Sequence, residues 1–93
     1  MKYYRRSWEQ CRGDDYEHWG TSVWFFEIGD DLFPARQVEV YADGTVLRYD
    51  ELHSDDAYGG LGDQPIDEAD FESFRITASQ FEDAWRMDAL NRQ

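Results

Sequence analysis

Residues 35–51 read A-R-Q-V-E-V-Y-A-D-G-T-V-L-R-Y-D-E, and they decide the fold. Two runs rich in β-branched and aromatic residues flank Asp43-Gly44, a dipeptide that suits a two-residue type I′ turn because both central positions need positive φ. Centring a hairpin there sets a register. Val40 then faces Leu47, Val38 faces Tyr49, and Arg36 faces Glu51 at the open end of what reads as the core face. On the other face Glu39 opposes Arg48 and Tyr41 opposes Val46. The Glu39–Arg48 pair is expected to be a solvated cross-strand ion pair, contributing roughly 0.2–1 kcal/mol.

Working outward, residues 21–28 (T-S-V-W-F-F-E-I) carry the strongest strand signal. Trp24, Phe26 and Ile28 alternate with Val23, Phe25 and Glu27. Both faces of this strand therefore need cover, from a central place in the sheet or from a partner on an apolar patch. Residues 2–10 (K-Y-Y-R-R-S-W-E-Q) read as a first strand, with Tyr4, Arg6 and Trp8 on one face. Residues 11–20 are a polar connection, and Gly29-Asp30-Asp31 makes a turn. Residues 53–70 (H-S-D-D-A-Y-G-G-L-G-D-Q-P-I-D-E-A-D) form a long acidic loop, of a length usually associated with function or mobility. Thr77 and Gln80 then make a capping box, with Ile76 and Phe81 at the staple positions. Ala78, Phe81, Ala84, Trp85 and Ala89 follow as one apolar stripe, and Asp88 inside it predicts that the helix ends near Met87. The order predicts an α+β fold: an antiparallel four-stranded β-meander with a C-terminal α-helix packed on one face. The other sheet face and the long loop are left available to a partner.

The chain has 93 residues, enough for one core, so residues 1–93 read as a single domain. It is 17% aromatic, which separates it from disordered acidic tails. Cys11 is the one cysteine, so a disulfide-stapled secreted fold is excluded. No apolar run follows the first residues and no window approaches a membrane span, so no signal peptide is expected and a cytoplasmic location is.

The net charge is −12, and it is unevenly placed. Residues 1–12 hold Lys2, Arg5, Arg6 and Arg12 against Glu9, a net of +3; residues 13–93 hold five basic and twenty acidic residues, a net of −15. Such a field repels nucleic acid and anionic membranes and attracts basic proteins. Acidity of this kind also serves solubility alone.

The motifs exclude more chemistry than they propose. His18 and His53 lie among acids, but no H-x-x-x-H, C-x-x-C or D-x-D-x-D-G spacing accompanies them. The carboxylate pairs are adjacent in sequence and so point apart, and one small core leaves little room for a hydrolytic cleft. Tyr58-Gly59-Gly60-Leu61-Gly62 is flanked by aspartates that would repel phosphate. Cys11 lacks a base close in sequence. No catalytic residue, metal ligand or cofactor is therefore expected.

The R-Q-V-E-V-Y-A-D-G hairpin, the L-G-D-Q-P-I loop at 61–66 and the F-E-D-A-W helix at 81–85 resemble a family of small acidic bacterial domains with no assigned activity. The resemblance covers residues 20–87 well and residues 1–19 loosely. In size and charge such domains are similar to immunity proteins of bacterial toxin systems and to phage-borne anti-CRISPR-type inhibitors that mimic DNA. The likeness to those inhibitors is one of style and carries no motif.

The expected function is that of a non-enzymatic acidic binding protein. It would inhibit a basic partner, a toxin nuclease or another nucleic-acid-binding complex, with no direct contact to nucleic acid or membrane. The contact is expected on the acidic loop, through Asp55, Asp56, Tyr58, Asp63, Asp67, Glu68 and Asp70. A DNA mimic, a plain accessory domain, and a metal or catalytic protein using His18 or His53 are the competing readings.

Overall fold

The computed structural model describes residues 1–91. Its main sheet is antiparallel, with strands β1 (Lys2–Trp8), β2 (Ser22–Ile28), β3 (Pro34–Tyr41) and β4 (Val46–Asp50) as the expected meander. Two short strands, β5 (Asp55–Asp56) and β6 (Gly59–Gly60), pair with each other inside the long loop. A single helical turn, α1 (Glu68–Phe71), leads to β7 (Arg75–Ile76) and to the C-terminal helix α2 (Ala78–Trp85). The meander gains a fifth strand because β7 pairs with Tyr3 and Tyr4, giving the order β4-β3-β2-β1-β7. The aromatic-rich β2 is thus the middle strand, which is why both its faces carry large side chains.

The hairpin forms where expected, but its register differs by one residue. Val38 pairs with Arg48, Glu39 with Leu47, Val40 with Val46, and Arg36 with Asp50. The turn is the reason. Asp43 keeps negative φ and only Gly44 is left-handed, at φ 95°, so the connection is a three-residue loop ending in a bulge and not a type I′ turn. Tyr41 C=O accepts from Gly44 N–H at 2.9 Å, Tyr41 N–H donates to Thr45 C=O at 2.8 Å, and the Asp43 carboxylate accepts from Thr45 N–H at 2.9 Å. A one-residue slip exchanges the side chains that share a face. Val38, Val40, Val46 and Arg48 therefore lie together, and Gln37, Glu39, Tyr41, Leu47 and Tyr49 lie on the opposite face.

The first of these faces packs on α2. Val38, Val46, Phe81, Ala84 and Ala89 form its core, with Tyr3, Phe25, Ile76 and Trp85 around them. The capping box is complete: Thr77 Oγ1 accepts from Gln80 N–H at 3.1 Å, and Gln80 Oε1 accepts from Thr77 N–H at 2.9 Å. Arg36 does not reach Glu51. It forms a two-pronged pair with Glu27 on β2, at 2.9 and 2.7 Å, and also meets Glu82 at 2.7 Å. Its guanidinium lies 4.9 Å from the ring centres of both Phe81 and Trp85. Arg48 likewise lies against Trp85 and donates to Trp85 C=O at 2.8 Å; it has no bond to Glu39.

Both sheet edges are blunted, which leaves little free backbone for another strand to pair with. Along β4, Leu90 N–H donates to Val46 C=O, and the Asn91 side chain bonds both the N–H and the C=O of Arg48, at 2.9 and 3.0 Å. On the far side β7 covers the start of β1. The basic N-terminal strand pairs with the acidic body, through Lys2–Glu68 at 2.6 Å and Arg6–Asp70 at 2.9 Å.

Candidate functional site

The second sheet face was expected to stay open. Half of it is instead covered by the polar connection at 11–20 and the acidic loop. Three loop aromatics, Tyr16, Trp19 and Tyr58, fold back onto Tyr41, Leu47 and Tyr49 and make a second core. Trp19 stacks on Tyr16 at 4.6 Å and meets Tyr41 edge-on at 5.1 Å. Burial of rings on this scale contributes several kcal/mol and holds the loops to the sheet.

Asp56 fastens the acidic loop to that core. Its Oδ1 accepts from Tyr49 O–H at 2.9 Å and Tyr58 N–H at 2.8 Å; its Oδ2 meets His53 Nε2 at 2.8 Å and accepts from Asn91 Nδ2 at 2.9 Å. Burial pushes its pKa up, but the bonds from Asn91, His53, Tyr58 and Tyr49 prevail and bring it down to about 2. A second fastening comes from Gln37, buried on β3. It donates to Gly60 C=O at 3.1 Å and accepts from Gly62 N–H at 3.0 Å. Gly60 has to be glycine, because a Cβ there would stand 2.8 Å from the Ser54 carbonyl oxygen.

Since the loops cover only the β3–β4 half, a cleft of about 540 Å³ remains over β1 and β2. The expectation that so small a chain has little room for a cleft does not hold. One wall is Trp24, Phe26 and Phe71, in ring contact at 6.0 and 5.9 Å. The other is Tyr41 and Tyr58, backed by Trp19. Trp8, 55% exposed, stands at the rim.

Glu39 lies between the walls, next to Trp24 across the strand pair. It is 4% exposed, so the solvated ion pair predicted for it is replaced by a buried network. Its carboxylate accepts from Tyr41 O–H at 2.5 Å and Gln37 Nε2 at 2.8 Å. Burial pushes the pKa of Glu39 up, against the opposing pull of these two bonds and of the Arg12 charge. The Tyr41 hydroxyl is pushed up too, by burial first and then by Glu39. No cation lies within ion-pair distance of Glu39 among the described residues. Arg12 is the nearest influence, one bond removed: it donates to the Tyr41 hydroxyl at 3.5 Å and lies 5.9 Å from that ring's centre. It pairs with Asp14 at 3.0 Å, donates to Tyr58 C=O, and lies over Tyr16 and Trp19 at 5.1 and 5.3 Å.

The seven residues expected to bind a partner divide in two. Asp56 and Tyr58 hold the loop in place, as described. Asp67 caps α1 by accepting from Ala69 N–H at 3.0 Å, and Glu68 and Asp70 pair with Lys2 and Arg6. Asp55 and Asp63 are exposed and make no side-chain bond among the described residues. The loop thus presents less free charge than its composition suggests.

His18 is exposed and edge-on to Trp19, while His53 serves Asp56. Among the described residues no group of three or more His, Cys, Asp or Glu side chains is placed to hold a metal ion. No helix among them is long and apolar enough to cross a membrane.

The residues that sequence reasoning missed are Glu39, Gln37 and Arg12. One signal could have found them. Three aromatics stand in connections that otherwise look solvated, and such rings need an apolar surface to cover. No family model, no curated protein and no solved structure matches the chain.

Proposed function

We propose that the chain is a non-enzymatic acidic binding protein whose partner is a basic, nucleic-acid-processing protein, and that it acts by occupying that partner's cationic surface. The observation that carries this is the fate of the charges. Every described cation is engaged within the fold: Lys2, Arg6, Arg12, Arg36 and Arg86 with carboxylates, Arg48 with a carbonyl, Arg5 and Arg75 with rings. The exposed acids Glu9, Asp15, Glu17, Asp30, Glu51, Asp55, Asp63 and Glu72 make no side-chain hydrogen bond or ion pair among the described residues. The outward field of a chain with net charge −12 is therefore carried by free carboxylates.

Such a field steers a basic partner into contact and turns nucleic acid away. Asp30, Asp31 and Glu51 add a focus at the far end of the sheet, around a hollow that also contains Met1 and the exposed Phe33. An immunity-protein role, with the partner a toxin nuclease in the cytoplasm, fits this chemistry and the one-cysteine composition. The test is capture on the immobilised protein from lysate at low salt, identification by mass spectrometry, and elution with salt. Basic nucleic-acid-processing proteins eluting below ~0.5 M salt are the expected result. Retention of no basic protein, or binding indifferent to salt, rules the proposal out.

A further inference from the structure

The cleft over β1 and β2 combines two aromatic walls with a buried carboxylate, Glu39, that no cation pairs directly; Arg12 reaches the Tyr41 hydroxyl beside it, at 3.5 Å. The same chain shows what that combination holds. Arg36 sits with its guanidinium 4.9 Å from two ring centres and its nitrogens on Glu27 and Glu82. Arg6 is placed likewise, 4.9 Å from Phe71 and Phe74, with Asp70 as its acid. In the cleft Trp24 is the strand-pair neighbour of Glu39 and the Tyr41 hydroxyl donates to it, while Arg12, paired with Asp14, lies 5.9 Å from the Tyr41 ring centre and makes no direct pair with Glu39.

The charges agree. Arg6 and Arg12 border the cleft but are each matched by an acid, Asp70 and Asp14, at 2.9 and 3.0 Å. Glu39 is the carboxylate left over. A guanidinium is planar, stacks on aromatic faces and is weakly hydrated, so it tolerates such a site better than an ammonium does. An anion would face Glu39 and Asp14 within the field of a chain of charge −12. The volume, about 540 Å³, exceeds one side chain and leaves space for the backbone that carries it.

We propose that this cleft seats an arginine side chain of the basic partner, its guanidinium between Trp24 and Tyr41 and above Glu39. This rests on the proposed function and gives it an anchor residue.

The probe is acetyl-arginine-amide, with acetyl-citrulline-amide as its uncharged counterpart and inorganic phosphate as the anion. Each is titrated while the indole N–H resonances of Trp8 and Trp24 are followed by NMR. The expected result is a saturable shift of the Trp24 resonance with the arginine probe and none with the other two. Glu39→Gln weakens binding at least about tenfold, the worth of one charged hydrogen bond. Gln64→Ala, an exposed substitution on the outer loop, leaves it unchanged.

Equal shifts from arginine and citrulline, a response to phosphate alone, or full affinity in folded Glu39→Gln would each overturn the proposal. If Glu39→Gln does not fold, Trp24→Leu decides, read at the Trp8 indole: it removes the ring on which the guanidinium stacks, and unchanged affinity there overturns the proposal as well. A hexa-arginine peptide separates the two claims. Salt-sensitive binding that survives Glu39→Gln removes the cleft anchor and keeps charge-driven binding. Binding of the single-arginine probe but not of the peptide keeps the cleft and removes the general role.

Discussion

Replacing Asp56 by Asn should cost the fold about 2 kcal/mol at neutral pH, and the figure follows from the bonds. The carboxylate accepts from two donors at each oxygen, Tyr49 and Tyr58 at one, His53 and Asn91 at the other. An amide has one oxygen, so its NH₂ must face either the Tyr58 N–H or the Asn91 amide. Lowering the aspartate pKa from its ordinary 3.8 to about 2 corresponds to roughly 2 kcal/mol, at ~1.4 kcal/mol per pH unit. The folded value lies below the unfolded one. This stabilisation is therefore complete above pH ~4 and is lost as pH falls through ~2. The assay is urea unfolding followed by tryptophan fluorescence at about pH 7, 4 and 2, for the native chain and Asp56→Asn. At pH 7 the variant should unfold earlier, equivalent to roughly 10 °C in Tm for a chain this size. The gap should narrow by about 2 kcal/mol towards pH 2. Equal midpoints at pH 7 would show that Asp56 is not what holds the loop to the sheet.

Other substitutions probe separate parts of the structure. Gly60→Ala puts a Cβ 2.8 Å from the Ser54 carbonyl and should cost about 1–3 kcal/mol by urea unfolding; a neutral result would refute the close approach of the loop. Thr77→Ala removes the N-cap of α2 and should cost about 1 kcal/mol, with helical circular dichroism reduced. Glu39 has a folded pKa raised above the ordinary 4.5, so its burial favours the fold below that pH and loses this contribution as pH rises through the folded value. The stability of Glu39→Gln relative to the native chain should accordingly improve between about pH 4 and pH 7; a constant difference would place Glu39 in solvent.

Much of the fold is legible in the sequence. The alternation in residues 2–10, the ring-rich run at 21–28 and the T-x-x-Q box each specify an element by local chemistry, and each forms, the two strands as Lys2–Trp8 and Ser22–Ile28. The hairpin register is different. Asp43-Gly44 suits a two-residue turn, yet it equally supplies the last two positions of a three-residue loop, where only Gly44 needs positive φ. The choice turns on which strand faces are covered, which is not local information. Gln37 and Glu39 alternate with Val38 and Val40 as a solvent-facing pair would. They are buried because Tyr58 and Gly60, some twenty residues later, fold over them. The cleft is legible only after that, because it is the part of the face the loops leave uncovered. Acid-rich composition singled out residues 53–70, but it could not reveal that Asp56, Asp67, Glu68 and Asp70 are spent on the fold.

Charge-driven capture of a basic partner is tested most directly by its association rate. The measurement is stopped-flow binding of the chain to the basic protein it retains, from low salt to ~0.5 M. Steering by free carboxylates requires the rate constant to fall at least about tenfold over that range, while dissociation changes little. A rate constant that stays level across the salt series would contradict it.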